Sequence, residues 1–264
     1  LDLPDGVTVL HLEDALAAVG RREKVLTFLM VFLLPGWFLD RFCLRLRTKL
    51  DDVLTVLFSS GSTGEPKGVM LTYRNVTANV DSFRRGVELR TSDVILCTLP
   101  FFHSFGYTIC FWAPLVVVMT AVYFPDPRQA KEVGELCRRY ACTILLGTAT
   151  FLRFYLRRSG PDDFRSVRLL VCGAEKLPTT LSDEFRQKFG VTPLEGYGCT
   201  ELSPVVSVNL FDVTRNGLTQ VANRPGTVGQ PLPGVAAVAF DPDTFAPLPP
   251  GVDGVLACLG ANVM

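Results

Sequence analysis

The sequence predicts an α/β fold: a doubly wound, mostly parallel sheet with helices on both faces, followed by the start of a small antiparallel β-barrel or sheet. Three observations carry this. Between about residues 50 and 190, short apolar, β-branched runs alternate with stretches of helical periodicity, the pattern of strand–crossover–strand units. Beyond about residue 212 the texture changes to Pro/Gly turns between short apolar runs, which reads as antiparallel hairpins. A chain of 264 residues, 48% hydrophobic, also has ample material to bury a sheet on both faces.

In chain order, residues 1–50 are expected to be a linker carrying a basic, amphipathic, membrane-interfacial helix. The apolar run from Val25 to Leu39 is 15 residues, short of the roughly 20 a spanning helix needs, and Pro35-Gly36 interrupts it. Residues 21–49 hold seven Lys/Arg against two acids, a local net charge of +5. Such a segment suits an anionic membrane surface, with Trp37 at headgroup depth; a helix buried against a neighbouring domain has the same composition. Residues 51–211 are expected to form the α/β core, with strands at 53–59, 93–99, 120–124, 143–147 and 168–172 and helices at 72–87, 128–141, 148–158 and 178–189. Residues 212–264 begin the β subdomain, with runs at 235–240 and 254–259.

Composition excludes several classes of function. The formal charge is zero, and neither a basic excess nor a nucleic-acid-binding motif points to a nucleic-acid partner. The eight cysteines stand singly, at 43, 97, 110, 137, 142, 172, 199 and 258, with no spacing for zinc or a disulfide framework; free thiols in a reducing cytosol are expected. The chain opens with Leu1-Asp2, without a cleavable signal pattern, and ends in what reads as a strand, so a fragment of a longer protein is expected.

The chemistry concentrates in the loop after the first strand. Ser59 to Gly68 reads SSGSTGEPKG. Small residues let backbone N–H groups close on phosphate oxygens, hydroxyls add donors and Lys67 adds charge. The order is not a Walker A loop, because Pro66 stands where its lysine-preceding glycine would be. Thr72 is placed to cap the following helix.

SSGSTGEPKGVMLTYRN (59–75), CGAEKLP (172–178), GYGCTE (196–201) and GTVGQPLPGV (226–235) resemble, in order, the signatures of the adenylate-forming superfamily of acyl-CoA synthetases, luciferases and peptide-synthetase adenylation domains. The resemblance implies activation of a carboxylate by ATP and Mg2+ to an acyl-adenylate, then transfer to a thiol, amine or alcohol. It implies that Ser60, Gly61, Ser62, Thr63, Gly64 and Lys67 hold the β- and γ-phosphates. Tyr197, between Gly196 and Gly198, would stack on adenine, with Gly173, Ala174 and Glu175 on the other side. Thr200 would bind the α-phosphate and Glu201 the metal. His103, in LPFFHSFG, stands where the family places an aromatic residue or histidine near the carboxylate; a satisfied loop histidine is the alternative. Phe101, Phe102, Phe105 and Tyr107 are either walls of an apolar substrate tunnel or core.

GYGCTE followed by LSPVVSVN, with the basic apolar segment, resembles most the long-chain fatty acyl ligases of the fused acyltransferase/acyl-acyl-carrier-protein synthetase type. That implies a fatty acid substrate, acyl carrier protein or CoA as acceptor, a link to lysophospholipid acylation, and a cytoplasmic location at the inner-membrane face. An adenylation domain for an amino or aryl acid is the alternative, as is a truncated nucleotide-binding module without turnover. In the final segment GVLACLGANVM (254–264), which resembles a strand of the family, Val255 replaces an acid and Ala261 a proline. The family's ribose-binding Asp, hinge and catalytic Lys would follow Met264, so the fragment alone is expected to be inactive.

Overall fold

The computed structural model describes residues 12–39, 41, 48–60 and 66–264. The chain divides into two compact units, residues 1–49 and 50–264. In the first, α1 (Leu12–Ala18) and α2 (Arg21–Leu33) precede a single turn, α3 (Gly36–Phe38). Leu34 and Pro35 take extended backbone, so the apolar run breaks at its proline as expected. Val25, Leu26, Phe28, Leu29, Val31, Phe32 and Leu33 are all exposed. At 100° per residue these positions run round α2, so its apolar side chains form no single stripe of the kind an amphipathic helix has. No helix among the described residues is long and apolar enough to cross a membrane.

The second unit has the expected doubly wound sheet. Its strands are β3 (Val94–Cys97), β4 (Thr120–Tyr123), β5 (Ile144–Gly147), β6 (Leu169–Cys172), β7 (Pro193–Gly198), β8 (Val205–Val208) and β11 (Gln230–Pro231). They lie in the order β11-β8-β7-β6-β5-β3-β4. From β4 to β7 the pairing is parallel; β8 and β11 add antiparallel strands at one edge. Both faces are buried, which explains why β5 and β6 read as unbroken apolar runs. Alternate residues part to the two sides. Ile95, Ile144, Leu146 and Val171 meet Val80 and Phe83 of α4 (Tyr73–Gly86) and Ile109 and Ala113. Leu96, Leu145 and Leu170 meet Val133 of α6 (Ala130–Arg139), Leu152 of α7 (Ala149–Arg158) and Phe185 of α8 (Thr179–Phe189).

Two differences from the sequence reading bear on the site. The 53–59 strand is not in the parallel sheet: β1 (Val53–Ser60) forms an antiparallel hairpin with β2 (Pro66–Thr72). Pro66 is tolerated because it opens an edge strand and owes the ladder little. Second, Gly106–Trp112 is a π-helix running into α5 (Ala113–Val117); the sequence shows apolar residues there but no signal for the wider winding.

Thr72 caps α4 as expected. Its Oγ1 accepts the Asn75 amide at 3.2 Å, and Asn75 Oδ1 accepts the Thr72 amide at 2.9 Å, a reciprocal capping box. Further on, β9 (Val213–Arg215) pairs with β10 (Leu218–Gln220), and β12 (Val235–Phe240) with β13 (Val255–Gly260), both antiparallel.

Candidate active site

The parallel strands deliver their following loops to one edge of the sheet. The chain runs from β3 out to β4 and returns to β5 on the other side of β3, the kind of reversal beside which doubly wound sheets place ligands. The loops after β3 and β6, the strand β7 and the β1–β2 hairpin enclose a cleft of about 470 Å³, within the usual size for a small-molecule site.

Of the residues singled out in the sequence, Lys67, His103, Gly173, Ala174, Gly196, Tyr197, Gly198, Thr200 and Glu201 all line this cleft. Lys67 sits at the start of β2, paired in register with Ser59, and its ammonium has no ion-pair partner among the described residues. Ser60 ends β1 opposite Pro66. Gly61, Ser62, Thr63 and Gly64 lie outside the described residues. Glu175 does not line the main cleft. Its carboxylate accepts the Thr150 amide at 2.9 Å and the Thr150 hydroxyl at 2.8 Å, while Ala174, Glu175 and Gly196 to Gly198 line an adjoining crevice of about 340 Å³.

Backbone geometry explains the glycines. A Cβ on Gly198 would stand 1.9 Å from the Pro204 carbonyl oxygen, and one on Gly173 would press the Phe105 ring at 3.2 Å. β7 carries GYG itself, so Tyr197 is fixed by the sheet and remains 40% exposed, leaving aromatic surface for stacking. Thr200 and Glu201 follow on a 3₁₀ turn, Thr200–Leu202.

His103 Nδ1 accepts the Phe105 amide at 3.2 Å. That arrangement leaves Nε2 as the proton-bearing nitrogen, and burial of the ring lowers its pKa, favouring the neutral imidazole.

Ser104 and Cys199 also line the cleft and have no role in the sequence reading; Phe105, which the sequence reads as tunnel wall or core, lines it too. Ser104 Oγ lies 3.4 Å from Thr200 Oγ1, a link between two distant loops that only the fold reveals. Cys199 was visible inside GYGCTE; burial, then the neighbouring Glu201 carboxylate, push its thiol up to about 11. Among the four aromatics near His103, Phe105 is core and Phe102 is 80% exposed. Phe101 packs on Phe111 and Tyr123, and Tyr107 on Phe111 and Trp112.

The donor set suits a nucleotide that arrives with its own metal. Among the described residues no three His, Cys, Asp or Glu cluster as a cation site. Glu201 and the Thr200 hydroxyl, which line the same cleft as Lys67, would give a Mg2+ already held by phosphate oxygens one or two oxygen ligands and a balancing negative charge.

The chain is similar to known proteins over most of its length. A family model described as AMP-binding enzyme matches residues 9–264. The medium-chain fatty-acid–CoA ligase of Escherichia coli strain K12 is 32% identical over 81% of this chain and 36% of its own length. The p-hydroxybenzoic acid–AMP ligase FadD22 of Mycobacterium marinum is 30% identical over 81% of this chain and 29% of its own. The ATP-bound crystal structure of MatB from Rhodopseudomonas palustris superposes with a TM-score of 0.70 and 29% identity, covering 83% of this chain and 41% of that one. The chain thus spans about two fifths or less of the length of these relatives.

Proposed function

The chain belongs to the AMP-binding enzyme family, and from that premise we propose that it carries the nucleotide site of an acid–thiol ligase. The protein binds ATP, directs a carboxylate onto the α-phosphate to give an acyl-adenylate and pyrophosphate, and passes the acyl group to CoA or acyl carrier protein. The acid is a long-chain fatty acid, and the product feeds lysophospholipid acylation. The observation that carries the reading is the gathering of Lys67, His103, Tyr197, Thr200 and Glu201, from three separate segments, round one cleft.

Each group has work it is suited to. The Lys67 ammonium balances phosphate charge, and the Tyr197 ring offers a face to adenine. The Thr200 hydroxyl donates to a phosphate oxygen. Neutral His103, with its proton on Nε2, orients the incoming carboxylate by donating to it. Bound at Glu201, Mg2+ would supply the charge neutralisation that lets one anion approach another. A fatty substrate agrees with the Escherichia coli relative's name and with the exposed apolar helix α2, which suits contact with the anionic membrane in which such acids dissolve. FadD22 acts, by its name, on an aryl acid, and this keeps aryl-acid adenylation as the second reading.

The test is ATP–pyrophosphate exchange by the intact protein against a panel of fatty, aryl and amino acids, with Glu201→Ala and Lys67→Ala as controls. Exchange driven by C12–C18 acids and reduced about a hundredfold or more in both controls is the expected result. Exchange with aryl or amino acids alone moves the assignment to the second reading; no exchange with any acid leaves a binding module.

A further inference from the structure

We infer that Asn79 and Asn262 are positioning residues that hold the Thr200–Leu202 turn in place, so that Glu201 is set before a metal-bearing nucleotide arrives. The inference rests on the metal role proposed for Glu201.

A three-residue turn has few bonds of its own. Leu202 N donates to Cys199 O at 3.0 Å and Ser203 N to Thr200 O at 3.2 Å; the chain then leaves through Ser203 in the left-handed region, φ +67°. What holds the turn comes from elsewhere. The Leu202 carbonyl accepts from Asn262 Nδ2 at 2.8 Å and from Asn79 Nδ2 at 3.3 Å. Asn79 also spans the far side, donating to Val205 O at 2.7 Å and accepting Val205 N at 3.3 Å. The Glu201 carbonyl accepts from Met264 N at 3.0 Å. Segment 261–263 is itself gripped by Asn75, whose Nδ2 donates to Ala261 O at 3.0 Å and Val263 O at 2.7 Å.

These three carboxamides are buried, Asn79 at 0%, Asn262 at 1% and Asn75 at 6% exposure. Burying a polar side chain is unfavourable unless it is hydrogen-bonded, and leucine has the same branching, so side-chain shape alone does not explain amides here. Asn75 and Asn79 stand one turn apart on α4, which continues directly from the strand bearing Lys67. One helix thus ties the Lys67 strand to the Glu201 turn. A carboxylate held this way meets the cation without reorganising, which is where such sites gain most.

The experiment uses the intact protein carrying Asn262→Leu, with Asn262→Asp as the second variant should leucine prevent folding. The probes are calorimetric titrations with ATP in excess Mg2+ and with ATP in excess chelator, with thermal unfolding to establish that the variant is folded. The expected result is an affinity for Mg-ATP about tenfold weaker, the scale of one lost hydrogen bond, with metal-free ATP affinity within twofold of wild type. Equal loss in both titrations, or no loss in either while Glu201→Ala weakens Mg-ATP, overturns the positioning role and leaves the proposed function standing. A Glu201→Ala protein that binds Mg-ATP as well as wild type overturns both.

Discussion

His103 illustrates how a single side chain acquires a pH response. Burial lowers its pKa from the ordinary 6.5, and Nδ1 is committed to the Phe105 amide. Protonation would set two N–H groups against each other, so the folded site favours the neutral ring. The charged form therefore appears only as pH falls through a value below 6.5, and with it the acceptor bond to Phe105 is lost. Exchange rates measured from pH 5 to 8 should show an acid limb centred below 6.5. In His103→Ala that limb should vanish and the plateau fall by about a hundredfold, the scale of lost proton-donor assistance; a limb that persists in the variant would assign it to another group. Lys67, Tyr197, Thr200 and Glu201 were legible in the sequence because each stands in a short contiguous motif. Asn79 and Asn262 were not. They act on a carbonyl 123 and 60 positions away, and an asparagine in a helix or near a chain end carries no signal of its distant partner.

At the scale of elements, the parallel sheet was legible because buried strands must be apolar throughout and the helices between them must present an apolar stripe. Pairing was less so. The 53–59 run predicts a strand but not its neighbour, and the short 61–65 connection favours a hairpin over a crossover, which needs a dozen residues or more. One polar cluster locks the amino ends of β3, β5 and β6. Asp93, 3% exposed, takes the Arg168 guanidinium in two bonds of 2.8 and 2.6 Å, the Thr143 hydroxyl at 2.9 Å and the Arg90 amide at 2.8 Å. Burial alone would raise the Asp93 pKa, but these donors together outweigh it and the net shift is downward. With the folded pKa below the unfolded value, the stabilisation is present above about pH 4 and is lost as pH falls through the folded value. Arg168→Ala would strand a buried carboxylate. Urea titration at pH 7 should show a loss of about 3 kcal/mol, shrinking toward zero in acid; a loss that is the same at pH 7 and pH 3 would mean that packing of the arginine stem, not its charge, is what matters.

At the scale of the whole molecule, the chain has two units: a well-buried sheet unit, and a unit whose central helix has no buried residue. Val25, Leu26, Phe28, Leu29, Val31, Phe32 and Leu33 of α2 are exposed, with Phe28 and Phe32 stacked at 6.1 Å, and Trp37 is 68% exposed. Removing each such side chain from water is worth about 2 kcal/mol, so cover by lipid or by protein would be favourable. Its length and broken end do not suit spanning. Its charge suits an interface: Arg21, Arg22 and Lys24 cluster at its start, and each basic residue near an anionic lipid surface adds about 1 kcal/mol. The two terms separate experimentally, because salt screens the second and leaves the first. Co-sedimentation of the intact protein with vesicles containing phosphatidylserine should show binding that weakens between 50 and 500 mM salt and is weak on neutral phosphatidylcholine vesicles. Phe28→Asp with Phe32→Asp should abolish it at every salt concentration, while exchange with a short water-soluble acid stays at the wild-type rate, since neither residue lies in the sheet unit that forms the cleft. Vesicle binding that survives the double substitution would place the membrane contact elsewhere. Failure of the unsubstituted protein to bind would mean that α2 is covered by protein instead, and the lipid-surface route for a fatty substrate would then have to be given up.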